Sequence, residues 1–120
     1  MSSTLGTFGE SWAVGYLGRL GYRIVERNVR FRAGEIDIVA WAGPELVFVE
    51  VKCRRSSHFG TPQESITRAR NGRLARATQT YLQRLSVQPD AYRIDVVAIE
   101  VGAAGIVEHH ELLRGIEAPR

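Results

Sequence analysis

Lysine is nearly missing from this chain: of its 16 basic residues, all but Lys52 are arginine. Cysteine is nearly missing too. Cys53 stands alone, which excludes an internal disulfide and fits a reducing compartment, so a cytoplasmic protein is expected. A lone cysteine at an inward strand position reads as a small buried hydrophobe. No apolar run approaches the ~18 residues that a bilayer span needs, so no membrane partner is expected. The opening residues, MSSTLGTFGESW, lack a basic stretch followed by an apolar one, so no signal peptide is expected. Repeats and low-complexity segments are also lacking. The three histidines (His58, His109 and His110) show no ligand spacing with one another or with cysteine, and they read as surface residues rather than a zinc site.

What is present suits one ordinary domain. The chain has 120 residues, 44% of them hydrophobic and 24% charged. One domain is therefore expected over residues 1–120, with 114–120 a loose tail. The net charge of +3 points only weakly to an anionic partner. Its distribution says more. Arginines gather in CRRSSHFG and TRARNGRLARA, whereas acids lie in and around the two strands before them. A basic rim beside an acidic pocket suits a polyanion handled together with a metal, and it also suits any surface of mixed charge.

Periodicity predicts the order α-β-β-β-α-β-β, a mixed α/β sheet with helices packed on it. The first helix is expected from near Thr7 to RLGY, with Gly21 as C-cap and a stripe of Leu5, Phe8, Trp12, Tyr16 and Leu20 widened by Ala13 and Leu17. Strands follow in YRIVERNVRF, GEIDIVAW and LVFVEVKCR. A long helix is expected from Pro62 to about Leu85, capped by Thr61 with Glu64 completing a capping box. YRIDVVAIEV and IVEHHEL complete the sheet.

The second and third strands form a hairpin turning near Gly43-Pro44. A symmetric closure places Ala42 opposite Glu45, so paired residue numbers sum to 87. Proline argues for a four-residue loop with the same register. Asp37 then faces Glu50 and Glu35 faces Lys52, all four on one face, with Ile36, Ile38 and Ala40 against Val47, Val49, Val51 and Cys53 on the other. Two carboxylates directly opposite repel each other. Lys52 offsets part of that repulsion, and a divalent cation such as Mg²⁺, which takes one or two carboxylates and keeps several waters, offsets more. The plain structural alternative is a Glu35–Lys52 cross-strand salt bridge with the other acids in solvent.

The spacing Asp37-(twelve residues)-Glu50-Val51-Lys52 resembles the PD-(D/E)xK signature of restriction-endonuclease-like nucleases. FGESWA, GEIDIVA, LVFVEVKCR, FGTPQESIT and RIDVVAIE narrow the resemblance to the YraN-like family of small bacterial proteins, distantly similar to Holliday-junction resolvases. It covers about Gly6 to Val101. The chain lacks the proline often found before the first acid, and Ile36 stands where the signature is loose. The resemblance implies a restriction-endonuclease-like fold and a Mg²⁺- or Mn²⁺-dependent nuclease acting on nucleic acid, with DNA the first candidate and branched or damaged DNA among the structures to test. It implies Asp37, Glu50 and the backbone carbonyl of Val51 as metal ligands. Lys52 is the implied catalytic group that orients or deprotonates the attacking water. An ammonium can give up a proton where burial favours its neutral form, whereas a guanidinium effectively does not. The analogy with resolvases allows a homodimer.

Glu10 matches an acid that resolvase-like relatives place at the metal, yet TFGE also reads as a capping box on Thr7, and both readings stand. Glu35 reads as the partner of Lys52. Asp95, two positions after Arg93, reads as structural. Arg54 and Arg55 follow the site, and Arg73, Arg76 and Arg84 form a helical stripe, so they are candidates for phosphate contacts or a solvated face. The rival functions are a non-catalytic nucleic-acid-binding module and an adaptor that keeps the fold.

Overall fold

The structure, a computed structural model, describes residues 4–56 and 73–116. In chain order the elements are α1 (Thr4–Arg19), β1 (Arg23–Phe31), β2 (Gly34–Ala42), β3 (Glu45–Arg55), α2 (Arg73–Gln83), β4 (Ala91–Val101) and β5 (Val107–Ile116). This is the expected α-β-β-β-α-β-β order. The expected first half of the long helix, with its Thr61 cap and Glu64, lies outside the described residues. Among the described residues no helix is long and apolar enough to cross a membrane.

The strands form one sheet in the order β1-β2-β3-β4-β5. Only β3 and β4 run parallel, from Glu45–Ala91 to Arg55–Val101; the other neighbours are antiparallel. Parallel strands are covered on both faces, which explains why LVFV and VVAI read as continuous apolar runs rather than alternating ones. On one face Val47, Val49, Val97 and Ile99 pack with Ala13 and Leu17 of α1. On the other, Leu46, Phe48, Ile94 and Val96 pack with Leu74, Ala77, Tyr81 and Leu82 of α2, where the three- and four-residue steps from Leu74 through Ala77 to Tyr81 turn one stripe to the sheet.

The pairs Ile38–Val49 to Ala42–Glu45 keep the expected sum of 87. The loop does not have the expected length. It is the two residues Gly43-Pro44, with Gly43 at φ 59°. Glycine at the first central position satisfies a type II′ turn, and the fixed negative φ of proline suits the second.

The helix α1 begins earlier than expected, and its inward stripe is centred on Gly9, Ala13 and Leu17, with Leu5, Trp12 and Tyr16 of the expected stripe packed at its flank. Gly9, Ala13 and Leu17 are buried, whereas Phe8 and Leu20 are 37% and 46% exposed. The cause is a close approach: a Cβ on Gly9 would lie 2.5 Å from Cys53 Cβ. Cys53 itself packs into the α1-side core, as expected, and burial pushes its thiol pKa up. Trp12 and Tyr16, displaced to the flank, stack at 5.1 Å and meet His110 of β5 at 5.1 and 4.9 Å.

Asp95 is fully buried and structural, as expected. It accepts from the Tyr22 hydroxyl at 2.9 Å, Arg93 Nε at 3.0 Å and the Gly115 N–H at 2.9 Å. Arg93 also reaches Glu45 at 2.6 Å. A carboxylate in the core needs such partners. The Gly115 contact falls where the β4–β5 register shifts between Ile94 and Val96, and it draws residues 114–116 into β5 rather than leaving them as tail.

Gly9→Ala tests the close approach. Helix propensity alone favours alanine by about 1 kcal/mol. Overpacking against Cys53 outweighs it, so urea denaturation should show a net loss of about 1–2 kcal/mol. A variant at least as stable as the wild type contradicts the packing.

Candidate functional site

The chemistry gathers where β3 leaves β2. Their ladder stops at Ile38–Val49, so the expected Asp37–Glu50 and Glu35–Lys52 pairs do not form. Instead, the Val51 N–H donates to Asp37 Oδ2 at 2.8 Å. A side-chain oxygen thus satisfies the backbone donor that the parting strands leave behind.

The expected single face for all four groups is also corrected. The β1–β2 register carries no pair at Asn28 and Asp37, and Asn28 is left-handed at φ 53°. Asparagine tolerates that conformation. Past this point Ile36 packs in the α2-side core, apart from Ile38 and Ala40 in the α1-side core. Glu35 and Asp37 consequently line a cavity of about 270 Å³ beneath α1, together with Glu10, Arg27, Asn28 and Val51. Val51 and Cys53 pack toward α1, so Glu50, Lys52 and Arg54 alternate to the other side of β3. The two carboxylates approach the fork from opposite sides of the sheet.

Charge is concentrated there. The Asp37 pKa is raised to about 6 by burial, with the Val51 N–H opposing and the charges of Glu50, Glu10 and Glu35 adding to the rise. Lys52 Nζ lies 3.1 Å from Glu50 Oε1, so its partner is Glu50 and not Glu35. Glu35 faces Arg30 at 3.7 Å with both side chains exposed, a contact of little energetic weight. Glu50 Oε2 is buried and has no hydrogen-bond partner among the described residues.

The capping reading of Glu10 is overturned, because α1 begins at Thr4 and both Thr7 and Glu10 lie within it. Its side chain is 12% exposed and turns to the cavity, where Oε1 accepts from Arg27 Nε at 3.0 Å and Asn28 Nδ2 at 2.9 Å. Sequence reasoning missed this clamp. Arg27 and Asn28 sat in a strand that showed no pattern beyond alternation, and the left-handed asparagine turns consecutive side chains toward α1.

Among the arginines, Arg54 is half-buried with Nη2 unpartnered among the described residues, and Arg55 is exposed at the end of β3. Arg76 donates from Nε to the Ala33 carbonyl at 3.3 Å, tying α2 to the turn between β1 and β2. The Arg73 side chain lies outside the described residues. Among those residues no three His, Cys, Asp or Glu side chains converge into a closed ligand cage. Hard oxygen donors at Asp37 and Glu50, one with an unpartnered buried oxygen, nevertheless fit a cation that takes one or two carboxylates and otherwise keeps water.

The raised Asp37 pKa has a consequence without metal. Between about pH 4 and 6 the folded state holds a proton that the unfolded state has released, so stability falls as pH rises through that window. In EDTA, Asp37→Asn should therefore gain on the wild type by about 2 kcal/mol between those limits, with a flat difference above pH 7. Parallel stability curves for the two proteins over pH 4–7 contradict the shift.

Comparison with known proteins agrees with the site's span. The model of the "Uncharacterised protein family UPF0102" matches residues 9–99. A UPF0102 protein of Symbiobacterium thermophilum is 51% identical over 105 residues, covering 88% of this chain and 89% of the relative. One of Geobacter metallireducens is 44% identical over 109 residues, covering 90% and 89%. A third, from Caldicellulosiruptor saccharolyticus, is 45% identical over 95 residues, covering 79% and 80%. The matched stretch runs from Gly9, packed on Cys53, to Ile99 in β4, and the chain belongs to the UPF0102 family.

Proposed function

We propose that this protein is a divalent-metal-dependent phosphodiesterase acting on nucleic acid, with DNA as the favoured substrate. The observation that carries the reading is the fork itself. There Asp37 lies close enough to Glu50 for its charge to raise the Asp37 pKa, Lys52 pairs with Glu50, and a buried Glu50 oxygen lacks a partner among the described residues. Carboxylates that repel in a half-buried position are unfavourable as plain structure and useful around a cation.

Asp37 and Glu50 would hold Mg²⁺ or Mn²⁺, with the Val51 carbonyl as a third ligand. Bound there, the ion would polarise a phosphoryl oxygen and lower the pKa of coordinated water. Lys52 would orient the attacking water and offset charge on the phosphate. Its present partner, Glu50 Oε1, keeps the ammonium beside the carboxylates. The Val51 N–H holds one oxygen of the Asp37 carboxyl, and the other would serve the ion. Glu10, clamped by Arg27 and Asn28, would supply further negative charge in the cavity. Arg54 and Arg55 would neutralise substrate phosphates without reading sequence.

The test is cleavage of single-stranded, duplex and four-way DNA by pure protein with each metal. Lys52→Ala should lower the rate at least a hundredfold, and Lys52→Arg should not restore it. No cleavage of any substrate with either metal contradicts the reading. Salt-dependent binding that Lys52→Ala leaves unchanged would then favour a non-catalytic nucleic-acid-binding module.

A further inference from the structure

A second cavity, of about 390 Å³, lies on the other side of the edge strand β1, between that strand and the C-terminal end of α2. Its walls include Phe31 and Tyr81, the guanidinium groups of Arg30 and Arg84, and one carboxylate, Glu26. The size falls within the range of small-ligand sites. The chemistry is specific: two aromatic side chains, two permanent cations and a net positive balance. Arg84 is held 4.7 Å from the centre of the Phe31 ring, so one cation is already ordered at the groove. Phe48 packs against the Tyr81 ring from the core side at 5.5 Å, which fixes that wall as well.

Arg30 borders both this groove and the carboxylate cavity. The two cavities therefore meet around β1. We propose that the groove binds one nucleotide of a single-stranded nucleic-acid segment, stacking its base on Tyr81 and on the Arg84 guanidinium that lies over Phe31, and taking its phosphates on Arg30 and the edge of Arg84. The segment then continues past Arg30 to the Asp37 side of the fork. Aromatic faces and arginines in one groove are what unpaired strands bind, because every unstacked base offers a π-face that a duplex conceals. The assignment rests on the nucleic-acid reading above and names the strand state of its substrate.

The experiment is fluorescence anisotropy in EDTA, with a labelled ten-nucleotide oligothymidylate and a duplex of the same length. Arg84 is exposed, so its substitution leaves the core intact. Arg84→Ala should weaken single-strand binding about tenfold, and lower the slope of log affinity against log salt by roughly 0.7, with duplex binding unchanged. Arg84→Lys should restore the salt slope but not the affinity. Phe31→Leu, which keeps apolar volume and removes the ring, should also weaken single-strand binding several-fold. Unchanged single-strand affinity in both Arg84→Ala and Phe31→Leu overturns the groove, as does a wild type that binds no single strand. Arg84-dependent binding without metal-dependent cleavage leaves the groove standing and removes the catalytic reading. Cleavage confined to duplex, with single strands ignored, does the reverse.

Discussion

The hydrogen bond from the Val51 N–H to the Asp37 carboxylate holds the fork on which the site depends. β3 cannot pair along its whole length with both neighbours. It stays with β4 to Arg55, whereas its ladder with β2 ends at Ile38–Val49. Beyond that point a β3 donor faces no backbone acceptor on β2, and a buried orphan costs about as much as a lost hydrogen bond. Asp37 fills the gap at 2.8 Å. The same act draws its carboxyl out of water, and this burial raises its pKa, with the charge of Glu50 adding to the rise. A structural repair thereby concentrates negative charge at one spot.

The rest of the fold supports that spot from both sides. Gly9 lets α1 lie close over Cys53, which brings Glu10, one residue on, over the cavity. The left-handed Asn28 turns its amide and the Arg27 guanidinium onto Glu10. On the far side, Asp95, Arg93 and Tyr22 lock β4 to the end of α1 and to β5, so the parallel partner of β3 is anchored. Buried polar networks of this kind specify one arrangement when their members are satisfied.

Much of this was legible in the sequence because it is written in alternation. The element order, the hairpin register from Ile38 to Ala42, the inward Cys53 and the structural Asp95 follow from apolar periodicity and charge placement. The side-chain faces near Glu35 and Asp37 did not follow. Alternation assumes an unbroken ladder, and one left-handed asparagine with an unpaired position accompanies a change of parity on β2 that turns Glu35 and Asp37 to the α1 side, whereas Glu50 on β3 keeps its expected face. Glu10 was ambiguous for a similar reason: TFGE makes a good cap in isolation, and only tertiary packing shows that the helix begins earlier. The stripe of α1 was legible except for its centre, because glycine carries no hydropathy signal, yet Gly9 sets the line of closest approach and leaves Phe8 and Leu20 outside it.

The proposed divalent-cation site at the fork requires both Asp37 and Glu50. Paramagnetic broadening of backbone amide resonances by substoichiometric Mn²⁺ tests it most directly. Selective broadening is expected at Asp37, Glu50, Val51 and Lys52, reversed by excess Mg²⁺ and lost in both Asp37→Asn and Glu50→Gln. Broadening that is absent, scattered over other surface carboxylates, or unchanged in those variants would contradict it.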